Sequence, residues 1–496
     1  MKAVDKEQKP AVKKKVENFF GISVIWGVAV MLMITGCAAV GPGYVPPEKT
    51  SPAEWHTDLK DGLQVRSADP KILADWWNTL NDPILSDLIE QAVGGNLDLK
   101  QAKARVREAR ARRGISRTDQ FPILDASGAA TKSRSSENSG TGAETELYAA
   151  GFDAGWEMDI FGGVRRSVEA AQADLEASRA DLQDVLVSLL AETALNYVEA
   201  RSYQTRLAAA EANLKAQEKT YDLIVSRYEA GLSDELAVQQ ARYNLEDTRS
   251  QIPLLRTGLE AAQNRLAVLI GQLPGAVHEQ LAERRPIPVT PVTVAVGVPA
   301  DTLRRRPDIR RVERELAAQT ARIGVATADL YPKFRLAGSI GLESLESAVF
   351  FESASRSWGI GPSFSWNIFD AGAIRQNIEV QSARQEQYVI AYEAAVLRAL
   401  EEVENTLTAY AEEQLRRERL LDAVDAAKRA EELSQDQYKA GLVDFSNVLD
   451  AQRSLLSFED QLAQSDGTVT SNLISLYKAL GGGWTGLSDD DTRLLP

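Results

Sequence analysis

The chain has 496 residues and a formal charge of −15, with few aromatic residues and abundant alanine. That composition suits long, closely packed helices better than several thick cores, and an acidic surface disfavours nucleic acid as a partner, because phosphate binding needs basic clusters. One cysteine excludes an internal disulfide and a thiolate metal cluster, and the two histidines, His56 and His278, stand in no recognisable site; no catalytic residue, metal centre or cofactor is expected.

Lys9, Lys13, Lys14 and Lys15 precede an apolar run from Phe19 to Ile34, which ends in Ile34-Thr35-Gly36-Cys37. A basic start, a short apolar stretch and small residues before a cut describe a secretory signal over residues 1–36. The lone cysteine then falls where lipoprotein signals place the residue that is lipidated and becomes the mature N-terminus, and Ala38 behind it is compatible with sorting to the outer membrane. The other reading is an uncleaved anchor, but the run falls short of the roughly 20 residues a span needs. Lipid on Cys37 attaches the chain to a membrane and leaves open whether the rest also crosses it.

Beyond this address the chain repeats itself at a spacing of about 210 residues. Gly114 and Asp119-Gln120-Phe121-Pro122 recur as Gly324 and Asp329-Leu330-Tyr331-Pro332. Trp156 and Ile160-Phe161 recur, two residues out of step, as Phe364 and Ile368-Phe369. Tyr228-Glu229-Ala230-Gly231-Leu232 recurs as Tyr438-Lys439-Ala440-Gly441-Leu442, and Leu269-Ile270-Gly271 as Ala479-Leu480-Gly481. The organisation read from this is an extended segment 37–83, a first repeat 84–274, a linker 275–298, a second repeat 299–484 and a tail 485–496. Each repeat reads as a helix, a strand pair, a very long helix, a tight turn and a long return helix.

The first strand pair is expected over about 121–160 and the second over about 331–369. Tyr148, Ala150, Phe152, Ala154, Trp156, Met158 and Ile160 alternate with small or polar residues, as do Phe334, Leu336, Ile340 and Leu342, and Trp358, Ile360, Phe364, Trp366 and Ile368. The strand from about Ile123 to Lys132 is weaker. Strands of about 10 residues with one apolar and one polar face match transmembrane barrel strands; a half-buried soluble sheet is the commoner source of such alternation, but the export signal and the aromatics at the strand ends favour the membrane. Residues 133–146 and 345–355 are then outer loops. The long helices are expected at 164–230 and 371–439, with returns at 235–272 and 444–480. Apolar or small residues recur every seven positions, as in Val168, Leu175, Leu182 and Leu189, and again in Val389, Val396, Val403 and Tyr410. Such heptads indicate coiled-coil packing, and a second stripe through Leu186, Ala200, Leu207, Leu214, Tyr221 and Tyr228 gives the first long helix neighbours on two sides. At 1.5 Å per residue that helix is about 100 Å long.

Four strands cannot close a pore, and an open sheet edge is intolerable in lipid. The chain must therefore oligomerise. Three copies would give twelve strands, and the arithmetic leaves eight from a dimer and sixteen from a tetramer open.

Several runs resemble the TolC/OprM outer-membrane efflux family over nearly all of the mature chain: Trp156-Glu157-Met158-Asp159-Ile160-Phe161-Gly162, Ser365-Trp366-Asn367-Ile368-Phe369-Asp370-Ala371-Gly372, Tyr438-Lys439-Ala440-Gly441-Leu442 through Leu449-Asp450-Ala451-Gln452-Arg453, and Tyr477-Lys478-Ala479-Leu480-Gly481-Gly482-Gly483-Trp484. With the lipidation motif, the last run is similar to the NodT/OprM-type lipoprotein branch. The resemblance implies a mainly α fold with a transmembrane β-barrel: a homotrimer whose twelve-stranded barrel in outer-membrane lipid continues as a long α-helical barrel across the periplasm, with 37–83 and 275–298 as equatorial segments. It implies a passive exit duct for drugs or other small molecules, fed by an inner-membrane pump of the RND type through a periplasmic adaptor, with no chemistry and no cofactor.

The same resemblance makes Ala230-Gly231-Leu232 and Ala440-Gly441-Leu442 the adaptor-docking turns, where glycine also supplies the positive φ a helix reversal needs. It places Asp450 in a ring of three carboxylates at the periplasmic gate, a device that collects cations; the repeat partner of Asp450 is Gln240, so one hairpin type alone carries the acid. Asp444 is a further acidic candidate, and Tyr438 is associated with the gate. Departures from the pattern are Asn447 and Ala237 where relatives carry acids, and Val443 where some carry arginine, so the network that locks the gate does not transfer. Two other classes compete. An envelope-anchored structural coiled-coil lipoprotein would explain heptads and lipid but not the strand pairs. An enzyme would need a site that is absent here, since Gly481-Gly482-Gly483-Trp484 lacks the Lys-Ser/Thr of a phosphate loop.

Overall fold

The computed structural model describes residues 39–47, 51–60, 62–66, 69–288 and 294–484. Cys37, the 1–36 segment and the 485–496 tail lie outside the described residues.

Short elements come first: β1 (Leu63–Gln64), α1 (Pro70–Ala74), a 3-10 turn at Trp76–Leu80, and α2 (Pro83–Gly95), whose first turn is capped by Asp82 accepting from the Ile84 and Leu85 amides. The first repeat continues with α3 (Leu97–Thr118), β2 (Ile123–Arg134), β3 (Glu144–Met158), α4 (Gly163–Glu229) and α5 (Glu235–Leu269). After β4 (Val294–Ala295) and α6 (Pro299–Arg305) the second repeat runs α7 (Pro307–Ala328), β5 (Lys333–Ser344), β6 (Arg356–Ser365), α8 (Ala373–Lys439) and α9 (Phe445–Ala479). The paired elements have equal lengths: 22 residues in α3 and α7, 12 in β2 and β5, 67 in α4 and α8, and 35 in α5 and α9. Each begins 210 residues after its counterpart, as 97 becomes 307 and 235 becomes 445.

The repeat spacing also holds through the strands, which corrects one alignment made from motifs. Trp156 donates its indole Nε1 to the Gln120 carbonyl at 3.1 Å, and Trp366 donates to the Leu330 carbonyl at 3.0 Å. The structural counterpart of Trp156 is therefore Trp366 and not Phe364. The Ile-Phe pair slides by two residues only between this tryptophan and the following helix, where Asp159 caps the Val164 and Arg165 amides and Asp370 caps Gly372 and Ile374.

Contacts divide the described residues into two units. The first, from 39–47, 107–176 and 313–390, holds an antiparallel sheet of order β2-β3-β5-β6. Its register sets Phe152 opposite Ala126 and Ile340, and Ile340 opposite Trp358, on one face; Asp153 lies opposite Asp125 and Ser339 on the other. On the apolar face Phe152, Ile340, Trp358, Ile360 and Phe364 are exposed. An apolar face left open this widely needs an apolar solvent. The connections within the two strand pairs are 135–143 and 345–355, the latter with two 3-10 turns. Among the described residues no helix is long and apolar enough to cross a membrane.

The second unit, from 51–106, 177–312 and 391–484, holds the helical hairpins and the small parallel sheet β1-β4. Of the heptad residues, Leu182, Leu189, Val396, Val403 and Tyr410 are buried. Along the second stripe of α4, Leu186 is half-buried, Ala200 and Leu207 are buried, Leu214 and Tyr221 are half-buried, and Tyr228 is exposed.

The return helices end in the same way in both repeats. Asn96 Nδ2 donates to the Leu269 carbonyl at 2.9 Å, and Arg306, its counterpart, donates Nη1 to the Ala479 carbonyl at 2.9 Å. Each supplies a partner to a carbonyl the helix end leaves unpaired. Arg306 also pairs with Asp308 at 2.8 Å and Glu402 at 2.6 Å. Burial opposes the charged form of Asp308, but the Arg306 guanidinium and the Ile309 amide hold its carboxyl below the usual range. The Gly481-Gly482-Gly483 run packs rather than binds: the Gly483 amide donates to the Leu73 carbonyl at 2.7 Å, and Trp76 stacks on Tyr477 with centroids 5.6 Å apart. A strap from the N-terminal segment is tied on by Glu404, which accepts from the His56 amide at 2.7 Å and the Thr57 amide at 3.0 Å.

Candidate functional site

Both hairpin turns close by the same backbone device. The Gly231 amide donates to the Tyr228 carbonyl at 2.9 Å and the Leu232 amide to the Arg227 carbonyl at 2.7 Å. In the second hairpin Gly441 donates to Tyr438 at 3.0 Å and Leu442 to Gln437 at 2.9 Å. These are Schellman caps, which satisfy the last carbonyls of α4 and α8 and require a left-handed residue. Gly231 and Gly441 supply it with φ of +71° and +72°. A Cβ placed on either would meet no atom within 4 Å, and Ala230, Leu232, Ala440 and Leu442 are exposed. The two turns therefore present bare backbone and one leucine each.

The return helices start at Asp234 and Asp444, which are counterparts. Asp234 accepts from the Ala237 amide at 2.8 Å, an ordinary N-cap. Asp444 occupies the same cap position with no side-chain cap bond, and the Asn447 amide reaches its carbonyl at 3.1 Å. Its carboxylate is exposed at the mouth of the turn.

Behind the turns the two hairpins share one apolar cluster: Ile224, Ala237 and Ala241 from the first, Phe445, Val448 and Leu449 from the second. Tyr438 belongs to it, its ring 5.3 Å from that of Phe445, with the Arg227 guanidinium 4.9 Å from its centroid. The counterpart of Tyr438, Tyr228, is exposed because Glu235 stands where the second hairpin has Phe445. Tyr438 thus ties the second turn to the first through a cation–π contact. A cleft of about 360 Å³ opens beside it, with Leu223, Phe445 and Val448 on its wall and Lys215, Lys219 and Lys439 on its rim.

Asp450 does not join this cluster. It lies on α9 beside buried Leu449, its side chain 75% exposed, 3.8 Å from Arg453. Arg453 in turn donates to Asn244 Oδ1 at 2.8 Å and to the Tyr243 hydroxyl at 3.2 Å on α5. Between the hairpins Gln452 is buried and reaches Thr220 and Glu431 at 3.4 Å. Arg227, Arg453 and Gln452 are contacts that motif reading passed over. One signal was available for Arg453: its repeat counterpart is Tyr243, so helices packed about a local pseudo-symmetry bring that pair together. Among the described residues no group of carboxylates, histidines or cysteine is placed to hold a metal. The site thus offers exposed backbone turns, a tyrosine clasp and two exposed carboxylates, Asp444 and Asp450.

The family model described as "Outer membrane efflux protein" matches residues 88–272 and 298–482, one copy on each repeat. The chain is similar to Nodulation protein T of Rhizobium leguminosarum bv. trifolii, 33% identical over 454 residues, with 91% of this chain and 96% of the relative covered. It is also similar to the solvent efflux pump outer membrane protein SrpC of Pseudomonas putida, 31% identical over 464 residues, with 92% and 97% covered. Among solved structures, the outer-membrane channel OprN matches with a TM-score of 0.84 and 36% identity over 90% of this chain and 100% of that one. The chain belongs to the outer membrane efflux protein family and is the outer-membrane channel component of a tripartite efflux system.

Proposed function

We propose that three copies form a passive exit duct, with lipid on Cys37 as a second attachment to the outer membrane. One observation carries this: the four-stranded sheet has an apolar face, a polar face and two unpaired edges, β2 and β6, which lipid does not tolerate. Three copies close twelve strands and leave no edge. The second heptad stripe on α4, half-buried beyond Leu207, then finds its cover on the neighbouring copy. The Ala-Gly-Leu turns dock a periplasmic adaptor through their bare backbone, with the cleft beside Tyr438 admitting a partner side chain. The adaptor hands over small molecules from an inner-membrane pump of the RND type. The duct performs no catalysis, so substrate choice rests with the pump.

Three copies of Asp450 face one another across the axis just inside the mouth and form the cation-binding constriction. Like charges held close repel, so divalent cations collect there and impede current. The test is single-channel current through the purified protein in a planar bilayer, with and without millimolar divalent cation. Wild-type channels conduct, prefer cations and are blocked; Asp450→Ala channels lose much of the block, and Asp444→Ala changes it less. Absence of any conductance refutes the duct and points to an envelope coiled-coil rod. Unchanged block and ion preference in Asp450→Ala refutes the ring alone.

A further inference from the structure

Three lysines ring an apolar cleft in a chain whose formal charge is −15. The cleft beside Tyr438 holds about 360 Å³ and is lined from one unit of the fold alone. On α4, Lys215, Lys219 and Leu223 recur at steps of four and so share one face, and the small Ala216 beside them leaves the hollow. The facing wall is Tyr438 near the end of α8 and Phe445 and Val448 at the start of α9. Phe445 and Val448 are buried, but Leu223 on the α4 wall is 49% exposed. A leucine left open to water opposite an aromatic wall is surface that the apolar body of a ligand covers favourably.

The lysines do not serve to balance neighbouring acids. Among the described residues neither Lys215 nor Lys219 has a hydrogen-bond or ion-pair partner. The carboxylates nearest them in sequence are engaged elsewhere: Glu211 with Arg284 at 2.8 Å and Arg256 at 3.5 Å, and Glu218 with Arg249 at 3.0 Å. Asp222 is exposed and pairs with neither lysine. Lys439 pairs with Asp436 at 3.3 Å, but the two side chains are 64% and 78% exposed, and such a surface pair gives way easily to another anion. Lys215 and Lys219, four apart on one helix, also repel each other. The duplication does not carry the arrangement either, since the counterparts of Lys215, Lys439 and Phe445 are Asp425, Glu229 and Glu235.

We propose that this cleft is a binding site for a small amphipathic organic anion, an aromatic or branched aliphatic body with a single carboxylate, sulfate or sulfonate head. The body lies between Leu223 and the Tyr438 ring, over Phe445 and Val448. The head meets the ammonium groups of Lys215 and Lys219, with that of Lys439 on the opposite rim. The volume is at the lower end of the range for ligand clefts, about 300–1,000 Å³, which fits one or two rings and excludes a long chain. An ammonium is a compact charge with rotatable donors, so the site selects for negative charge and apolar bulk rather than for one head geometry. A neutral body forfeits the charge-assisted hydrogen bonds, and an inorganic anion forfeits the apolar contact. The ligand touches α4 of the first hairpin and α8 and α9 of the second. It fills the space assigned above to a partner side chain, so the two occupants exclude each other. Binding of the anion needs no second protein and stands apart from that docking role.

The test uses the full chain, purified in a neutral detergent and titrated calorimetrically with 2-naphthalenesulfonate against a blank of the same detergent. The neutral 2-naphthol supplies the body without the charge, and inorganic sulfate the charge without the body. The sulfonate should saturate at one molecule per chain and bind at least about tenfold more tightly than either. Lys215→Gln with Lys219→Gln should weaken the sulfonate by about tenfold or more and leave 2-naphthol unchanged. Ala216→Leu, which fills the hollow, should weaken both, whereas Lys428→Gln, a lysine outside the cleft, should change neither. Equal binding of sulfonate and naphthol, or full affinity in the double lysine variant, overturns the site as an anion site. Sulfate as tight as the sulfonate reduces it to an ion site without an apolar part and overturns the amphipathic class. No saturable binding of the sulfonate to the wild-type chain overturns the site altogether.

Discussion

Gly441 separates the two roles of the second turn, since a substitution there strains the backbone without touching the rest of the chain. Its φ is +72° and a Cβ meets nothing within 4 Å. Alanine in that conformation costs about 1–2 kcal/mol, with no clash to add. Asparagine is the residue after glycine that helix ends accept in this conformation, so Gly441→Asn should cost less, under about 1 kcal/mol. The contrast is Gly271, where the added Cβ would lie 2.3 Å from the Gly95 carbonyl oxygen and the fold itself must shift. A deficit under about 1 kcal/mol leaves nearly every molecule folded in a domain of ordinary stability.

An asparagine at the turn nevertheless covers backbone that the adaptor is proposed to meet. Gly441→Asn should therefore assemble, insert and conduct as wild type, yet export at least tenfold less, the equivalent of about 1.4 kcal/mol of docking energy. The assay is efflux from cells that carry the partner pump and adaptor, with outer-membrane content matched between variants and conductance checked on purified channel. Gly441→Val adds a β-branched side chain that resists positive φ and should abolish export more completely. Wild-type export from Gly231→Asn, Gly441→Asn and the double variant would show that the turns only reverse the chain.

Two further outcomes are expected. Arg306→Ala removes the partner of the Ala479 carbonyl and the cation that Asp308 and Glu402 share; the carboxylates are partly exposed to water, so the cost falls below the about 3–5 kcal/mol of a fully buried pair, read as earlier thermal unfolding in detergent, and an unshifted transition would refute the role. The mass of the purified mature protein should lack residues 1–36 and carry acyl chains on Cys37, whereas an intact start at Met1 with a free thiol would remove the anchor while leaving the barrel.

The duplicated plan of strand pair and long hairpin was legible because helices and strands impose periods that few other constraints produce. The heptad residues Leu182, Leu189, Val396 and Val403 carry the pattern in the sequence and are buried in the structure. The strand from Ile123 was faint for a physical reason. Ala126, Gly128 and Ala130 have low strand propensity, and the strand is specified by its neighbour, since Tyr148 and Phe152 lie across from that small row. Its signal is thus a pairwise one, invisible in a single segment. The slip at Trp156 has a similar origin. The Ile-Phe pair is the louder match, but it lies in the connection after the strand, where Asp159 and Asp370 both cap one equivalent amide, Val164 and Ile374, and differ in the second, Arg165 against Gly372. Connections tolerate such sliding; a ladder does not, because one residue of slip turns every side chain to the other face.

The candidate site divides along the same line. Its glycines were legible because a helix that must reverse needs a left-handed residue, and only a few residue types supply one. Asp444 and Asp450 look alike in composition, yet the repeat tells them apart. Asp444 has an acidic counterpart, Asp234, whose side chain performs an N-cap, whereas Asp444 holds the same position with no side-chain cap bond; the acid itself is common to both repeats. Asp450 has only Gln240, stands 75% exposed on a helix whose neighbours Val448 and Leu449 are buried, and touches one cation, Arg453, at the weak distance of 3.8 Å. Arg453 directs its shorter bonds to Tyr243 and Asn244 and holds the Asp450 carboxylate in a long, exposed ion pair, a surface contact of little strength. A charge kept in one repeat and absent from the other is what the proposed ring of three requires, and that asymmetry favours Asp450 over Asp444 as the residue on which to test the proposed gate.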